Sequence, residues 1–113
     1  MIKASKMEEK VKIAIENDGI HDEFCKTFVL IDEDHTLANS LRYLIMKNPD
    51  VLFCGYSIPH PSEAKVNFRI QSKSVPAIDI LEKGLVDLNY VCEHVLNTFE
   101  DSINDFKNNK MEM

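Results

Sequence analysis

Glycine is scarce in this 113-residue chain, which has only Gly19, Gly55 and Gly84. So few, so far apart, leave no glycine-rich loop to cradle the phosphates of a nucleotide. Long apolar runs are missing too. The longest cover four residues, as in Phe28-Val29-Leu30-Ile31, whereas a helix that spans a bilayer needs about twenty. The opening "MIKASKMEEK" is charged and has no apolar core, so no secretory signal is expected there. Positive charge is in deficit: 13 Lys and Arg stand against 19 Asp and Glu, a net charge of −6. A surface that binds nucleic acid draws most of its affinity from phosphate contacts and shows a basic stripe. None is visible, and no direct nucleic-acid contact is expected.

Cysteine is also sparse. Cys25, Cys54 and Cys92 are odd in number and widely spaced. Each falls on an apolar position of a regular pattern, where a free thiol behaves as a small hydrophobe. That suits a reducing compartment, cytosol or nucleus. Neither Cys-x-x-Cys nor His-x-x-x-His occurs, so no metal or other cofactor is expected.

What is present is patterning. Residues 1–10 are polar and read as a loose tail. "VKIAIE" puts Val11, Ile13 and Ile15 on one side of a short strand, and Asn17-Asp18-Gly19 suits a turn. Phe24 to Ile31 reads as a second strand, apolar enough at its end to be buried on both faces. Leu37, Leu41, Leu44 and Ile45 recur at helical spacing. Asp34 or Thr36 can cap that helix, and Asn48-Pro49 ends it. "VLFCGYSI" is a third strand, and "PHPSE" a turn. In "AKVNFRIQ", Ala64, Val66, Phe68 and Ile70 alternate with polar residues, the pattern of a strand covered on one face.

After Pro76 the period changes. Ile78, Leu81, Leu85, Leu88, Cys92, Val95 and Phe99 fall at alternating steps of three and four, a heptad seam of about three repeats. Ile80, Val91 and Leu96 lie off it. Gly84 costs about 1 kcal/mol relative to alanine; it either admits another helix at close range or is simply tolerated. Pro76 to Phe106 would form a rod of roughly 46 Å, longer than a domain of about 30 Å. The rod must overhang its own sheet. Leaving the seam in water would forgo on the order of 10–20 kcal/mol, so a partner is expected, with Leu81, Leu85 and Leu88 near the centre of the contact. The pattern predicts an α+β fold of order ββαββα. A mainly antiparallel four-stranded sheet is covered on one face by two helices, the C-terminal one long. A single domain covers 11–107, and 108–113 is read as a loose C-terminus.

Asp34-His35-Thr36 places an acid, a base and a hydroxyl side by side, but catalytic triads are assembled by the fold rather than by adjacency. Capping explains the same residues. No enzyme is expected.

Two stretches carry a family likeness. "EDHTLANSLRYLI" resembles the "DHTLGN" helix start of the alpha-like subunits of multisubunit RNA polymerases. "MKNPDVLFCGYSIPHPSEAKVNFRIQ", Met46 to Gln71, is similar to the small alpha-like subunit shared by eukaryotic RNA polymerases I and III. That family includes archaeal subunit L and the bacterial alpha N-terminal domain. The resemblance implies a non-catalytic assembly subunit in the nucleus: the nucleolus for polymerase I, the nucleoplasm for polymerase III. Such a subunit pairs with a larger alpha-like subunit, and the pair is the platform for the two large catalytic subunits. His35, Thr36, Leu37, Asn39, Leu41 and Arg42 match the signature helix. The implied dimer interface comprises the first helix (Leu37, Leu41, Leu44 and Ile45) and the seam from Ile78 to Phe99. Ile58, Pro59, His60 and Pro61 form a candidate contact loop for a large subunit. Ala38 replaces the family's glycine, and Tyr43 an arginine of the bacterial chains. The rival readings are a small homodimeric ligand-binding domain and a cysteine enzyme built on Cys54 and a histidine.

Overall fold

A computed structural model describes residues 13–16 and 22–111. The elements are β1 (Ile13–Ile15), β2 (Cys25–Ile31), α1 (His35–Ile45), β3 (Val51–Ser57), β4 (Lys65–Ser72) and α2 (Ala77–Met111). The expected tail 1–10, Val11 and the Asn17-Asp18-Gly19 turn lie outside the described residues. The four strands form one sheet in the order β1-β2-β4-β3, with every neighbouring pair antiparallel.

Alternation builds the sheet. On β4, Val66, Phe68, Ile70 and Ser72 are buried while Lys65, Asn67, Arg69 and Gln71 take the opposite face. Register places Phe68 opposite Phe28 and Val66 opposite Leu30 on β2, so large side chains meet across strands on the covered face. On the other side of β4, Cys54 faces Ile70 and Tyr56 faces Phe68, the two rings stacked at 6.4 Å. β2 differs from expectation. Phe28 and Leu30 are buried but Val29 and Ile31 only half-buried, because helices cover just one face of the sheet.

The chain leaves β2 through Asp32, which holds a left-handed φ of 63° and donates its N–H to the Ala64 carbonyl at 2.6 Å. Aspartate tolerates that conformation better than most residues. Asp34 is then the N-cap of α1, its carboxylate accepting from the Thr36 N–H at 2.9 Å. Helix α1 buries Ala38, Leu41 and Ile45. It ends where Asn48 donates its N–H to the Ile45 carbonyl and its side chain accepts from Asp50.

Helix α1 packs on β3, and α2 on β4 and β2. Ala77 is tied to β2's entry by its N–H to the Glu23 carbonyl at 2.8 Å. The 35 residues of α2 make a rod of about 52 Å. The molecule measures 67 × 33 × 25 Å, with a radius of gyration of 18.0 Å where a compact chain of this length would have about 13 Å. The rod overhangs, as its length requires. It also continues through residues 108–111, so the C-terminal boundary expected at 107 is corrected: the helical pattern runs on through Lys107 and Lys110 without a breaker.

Candidate interaction surface

Gly84 decides how α2 meets α1. A Cβ there would lie 2.6 Å from Cγ1 of Ile45 and 3.1 Å from Cδ1 of Leu41. Glycine is present because the helices approach too closely for a side chain, which settles the choice between close packing and tolerance. Around this crossing α2 buries Ala77, Ile80 and Leu81 and half-buries Leu85 and Leu88. Every residue from 89 to 102 is exposed.

The apolar stripe does not stop with the sheet. Val91, Cys92, Val95, Leu96 and Phe99 continue on the same side of the helix as Leu81, Leu85 and Leu88. Val95, Leu96 and Phe99 are 59%, 55% and 62% exposed. Together with Asn39, Ser40, Tyr43 and Leu44 on the outer side of α1 they line an open groove of about 780 Å³. The sequence pattern predicts a rod that overhangs its sheet and a seam that meets a partner, without dividing the seam between the two. In the structure the division runs along the helix: its first half serves the core, and its second half shows the same stripe to solvent. Contiguous exposed apolar surface of this kind marks an interaction site.

The expected interface residues therefore separate into groups. Leu44, Leu88, Cys92, Val95 and Phe99 line the groove. Leu41, Ile45 and Leu81 are at most 2% exposed within the chain itself. They pack in the core beneath the groove, and Leu81 also borders a cleft on the far side of α2. Leu37 is half-buried against the core. Ile78 and Leu85 open into a second cleft on the far side of α2. Ser40 and Tyr43 are not among the residues expected at the interface, and Val91 and Leu96 are expected to lie off the seam; all four line the groove.

The signature helix is held by its own polar contacts. His35 Nδ1 and the Tyr56 hydroxyl are 2.8 Å apart, with the rings edge to face. Arg42 Nε donates to the Cys54 carbonyl at 2.9 Å, pinning α1 to β3. Thr36 gives its N–H to Asp34 and its carbonyl to the Ser40 hydroxyl. Asp34 and His35 thus face different partners and form no triad. Ala38 is fully buried in the chain's own core, so its replacement of glycine bears on the packing of α1 against its sheet. Tyr43 is 62% exposed, with the Lys47 ammonium 4.6 Å from its ring centre. In the proline-flanked loop, Pro59, His60 and Pro61 are exposed, while Ile58 packs against the core.

The thiols occupy three different settings. Cys54 is buried, and burial pushes its thiol up to about 12, with the nearby Arg42 charge pulling weakly the other way. A protonated, buried thiol is a poor nucleophile. Cys25 accepts from Arg69 Nη2 at 2.7 Å on the open sheet face. Cys92 is exposed in the groove.

Residues 25–98 match the model of the RNA polymerase Rpb3/Rpb11 dimerisation domain. The chain belongs to that family. The resemblance read from Glu33 to Gln71 is borne out. A zebrafish (Danio rerio) protein named DNA-directed RNA polymerases I and III subunit RPAC2 is 58% identical over 100 residues, covering 88% of each chain. The Saccharomyces cerevisiae protein of that name is 50% identical, covering 84% of this chain and 67% of its own length. The counterpart in Schizosaccharomyces pombe is 62% identical over 78 residues, which span 62% of its length. A crystal structure of RNA polymerase subunit L from Thermoplasma acidophilum shares the fold, with a TM-score of 0.70 at 19% identity, covering 84% of this chain and 91% of that one.

Proposed function

We propose that this chain is the small alpha-like subunit of RNA polymerases I and III. It is non-catalytic and pairs with the larger alpha-like subunit through the α1/α2 groove. The pair is the platform for the two large catalytic subunits, in the nucleolus for polymerase I and in the nucleoplasm for polymerase III. There it serves transcription of ribosomal RNA, tRNA and 5S RNA. The observation that carries the reading is the apolar stripe left uncovered beyond Leu88. Burying Val91, Val95, Leu96 and Phe99 would recover about 1 kcal/mol or more apiece, a strong incentive to associate in a chain of this size. The relatives' names support the choice of polymerases, and membership of a dimerisation-domain family supports pairing as such.

The groove itself offers a ligand little to hold. Asn39 and Ser40 are its polar side chains, beside the Tyr43 hydroxyl, which favours an apolar helix over a metabolite. Affinity purification from native extract tests the proposal. The larger alpha-like subunit and the two large subunits of both polymerases should co-purify in stoichiometric amounts. A clean homodimer whose melting temperature responds to small molecules would overturn it.

A further inference from the structure

Strand β3 is an outer strand of the sheet, and no described strand pairs along its other side. The hydrogen bonds of its neighbour β4 show which of its backbone groups face outwards. Ser72 donates its N–H to the Phe24 carbonyl at 2.8 Å, beside β2, while Lys73 donates to the Asp50 carbonyl at 2.9 Å, beside β3. Bonding directions alternate along a strand. Phe68 and Ile70 therefore bond towards β2, and Asn67, Arg69 and Gln71 towards β3. Register then sorts β3 itself. Phe53, Gly55 and Ser57, opposite Gln71, Arg69 and Asn67, exchange bonds with β4. Cys54 and Tyr56, opposite Ile70 and Phe68, turn their N–H and C=O groups to the open edge.

An edge of this composition invites another strand. Val51–Ser57, sequence VLFCGYS, holds no charge and no proline, and Leu52 and Phe53 are 60% and 46% exposed. Uncharged, apolar edges of that kind pair readily with other chains. A bulge between Val51 and Phe53 blunts the first half of the edge. The regular half, Cys54 to Ser57, carries no such device of its own. Arg42 supplies one from α1. Its Nε donates to the Cys54 carbonyl at 2.9 Å, which is one of the outward groups an added strand would need. That bond is charge-assisted, and so stronger than the neutral one an incoming backbone would offer.

We propose that Arg42 is an autoinhibitory guard on the β3 edge, and that the strand it holds off is β3 of a second copy of this chain. A second copy fits because an uncharged strand meets itself antiparallel with no like charges opposed. A two-fold axis at the edge brings the outward groups of Cys54 and Tyr56 to the same groups of the other chain. The guard keeps a chain that pairs through its helices from also pairing through its sheet. It acts whatever partner those helices take.

Residue-resolved amide hydrogen exchange and sedimentation of the full-length chain test the proposal. In wild type the Cys54 and Tyr56 amides should exchange faster than those of Phe53, Gly55 and Ser57. The reverse order would show that the edge is not open and would overturn it. Arg42→Met keeps an apolar stem over the sheet and removes the donor. Self-association should then tighten about tenfold or more, the scale of one hydrogen bond to a charged group, and the Tyr56 amide should slow with it. Adding Leu52→Lys, which puts a charge on the same edge, should return both readings to wild type. Unchanged association in Arg42→Met would overturn the guard. So would association that leaves Tyr56 exchange untouched or survives Leu52→Lys, because the contact would then lie on another surface.

Discussion

Gly84 lies against Ile45 so closely that a single methyl group on the glycine would fall 2.6 Å from the isoleucine Cγ1. This contact fixes how far α2 can settle onto α1, and so where the open groove begins. Gly84→Ala improves helix propensity by about 1 kcal/mol but overpacks a filled site, which costs about 1–3 kcal/mol. A net loss of up to about 2 kcal/mol in denaturant unfolding is expected. With Ile45→Ala the new methyl finds space, so the double variant should be more stable than the sum of the two losses implies. Additive losses would show that the contact does not govern the crossing.

Cys54 makes stability pH-dependent. Its folded pKa of about 12 stands above the ordinary 9.0, so above pH 9 the unfolded chain releases a proton that the folded chain keeps. The contribution is fully present below pH 9 and is lost as pH rises towards 12. Between pH 9 and 10 the stability advantage of wild type over Cys54→Ala should shrink by about 1 kcal/mol. A constant difference across that interval would refute the assignment.

Asp34 caps α1 through the Thr36 N–H at 2.9 Å. Asp34→Ala should cost about 1 kcal/mol, and Asp34→Asn or Asp34→Ser should restore most of it. Thermal unfolding of the three variants measures this, and equal losses in all three would argue that charge rather than capping is at stake.

These elements differ in how legible they were. Alternation in Lys65–Ser72 and heptad spacing after Pro76 identify β4 and α2 because each has one buried side, and the pattern reports that side directly. Gly84 was ambiguous, since the price of a glycine in a helix reads the same whether another helix approaches or none does. The interface was only half legible. Leu81 and Val95 belong to one stripe, and periodicity cannot say where along a helix its own sheet ends. That boundary depends on the crossing at Ile45, a tertiary fact. Ser40 and Tyr43 were hidden by polarity, because a groove wall on α1 looks like a solvated face.

Cys92 offers a probe of the groove, being exposed where Cys54 is buried. In the isolated chain a maleimide should modify Cys92 readily and Cys54 only on unfolding. Binding of the larger alpha-like subunit should slow Cys92 labelling roughly tenfold or more, as access to the thiolate is lost. An unchanged rate in the complex would place the partner elsewhere.

The most direct measurement is a co-expression pull-down of the larger alpha-like subunit by a chain carrying Val95→Asp and Phe99→Asp, with the melting temperature of the variant recorded alongside. Both residues are more than half exposed, so the fold should hold. Unpaired charges buried in an apolar contact cost several kcal/mol. Loss of the partner with an unchanged melting temperature is the expected result, and Glu93→Ala, at another exposed position of the overhang, should bind as wild type does. Retention of the partner at wild-type levels by the double variant would contradict the claim that the uncovered second half of α2 is the dimerisation surface.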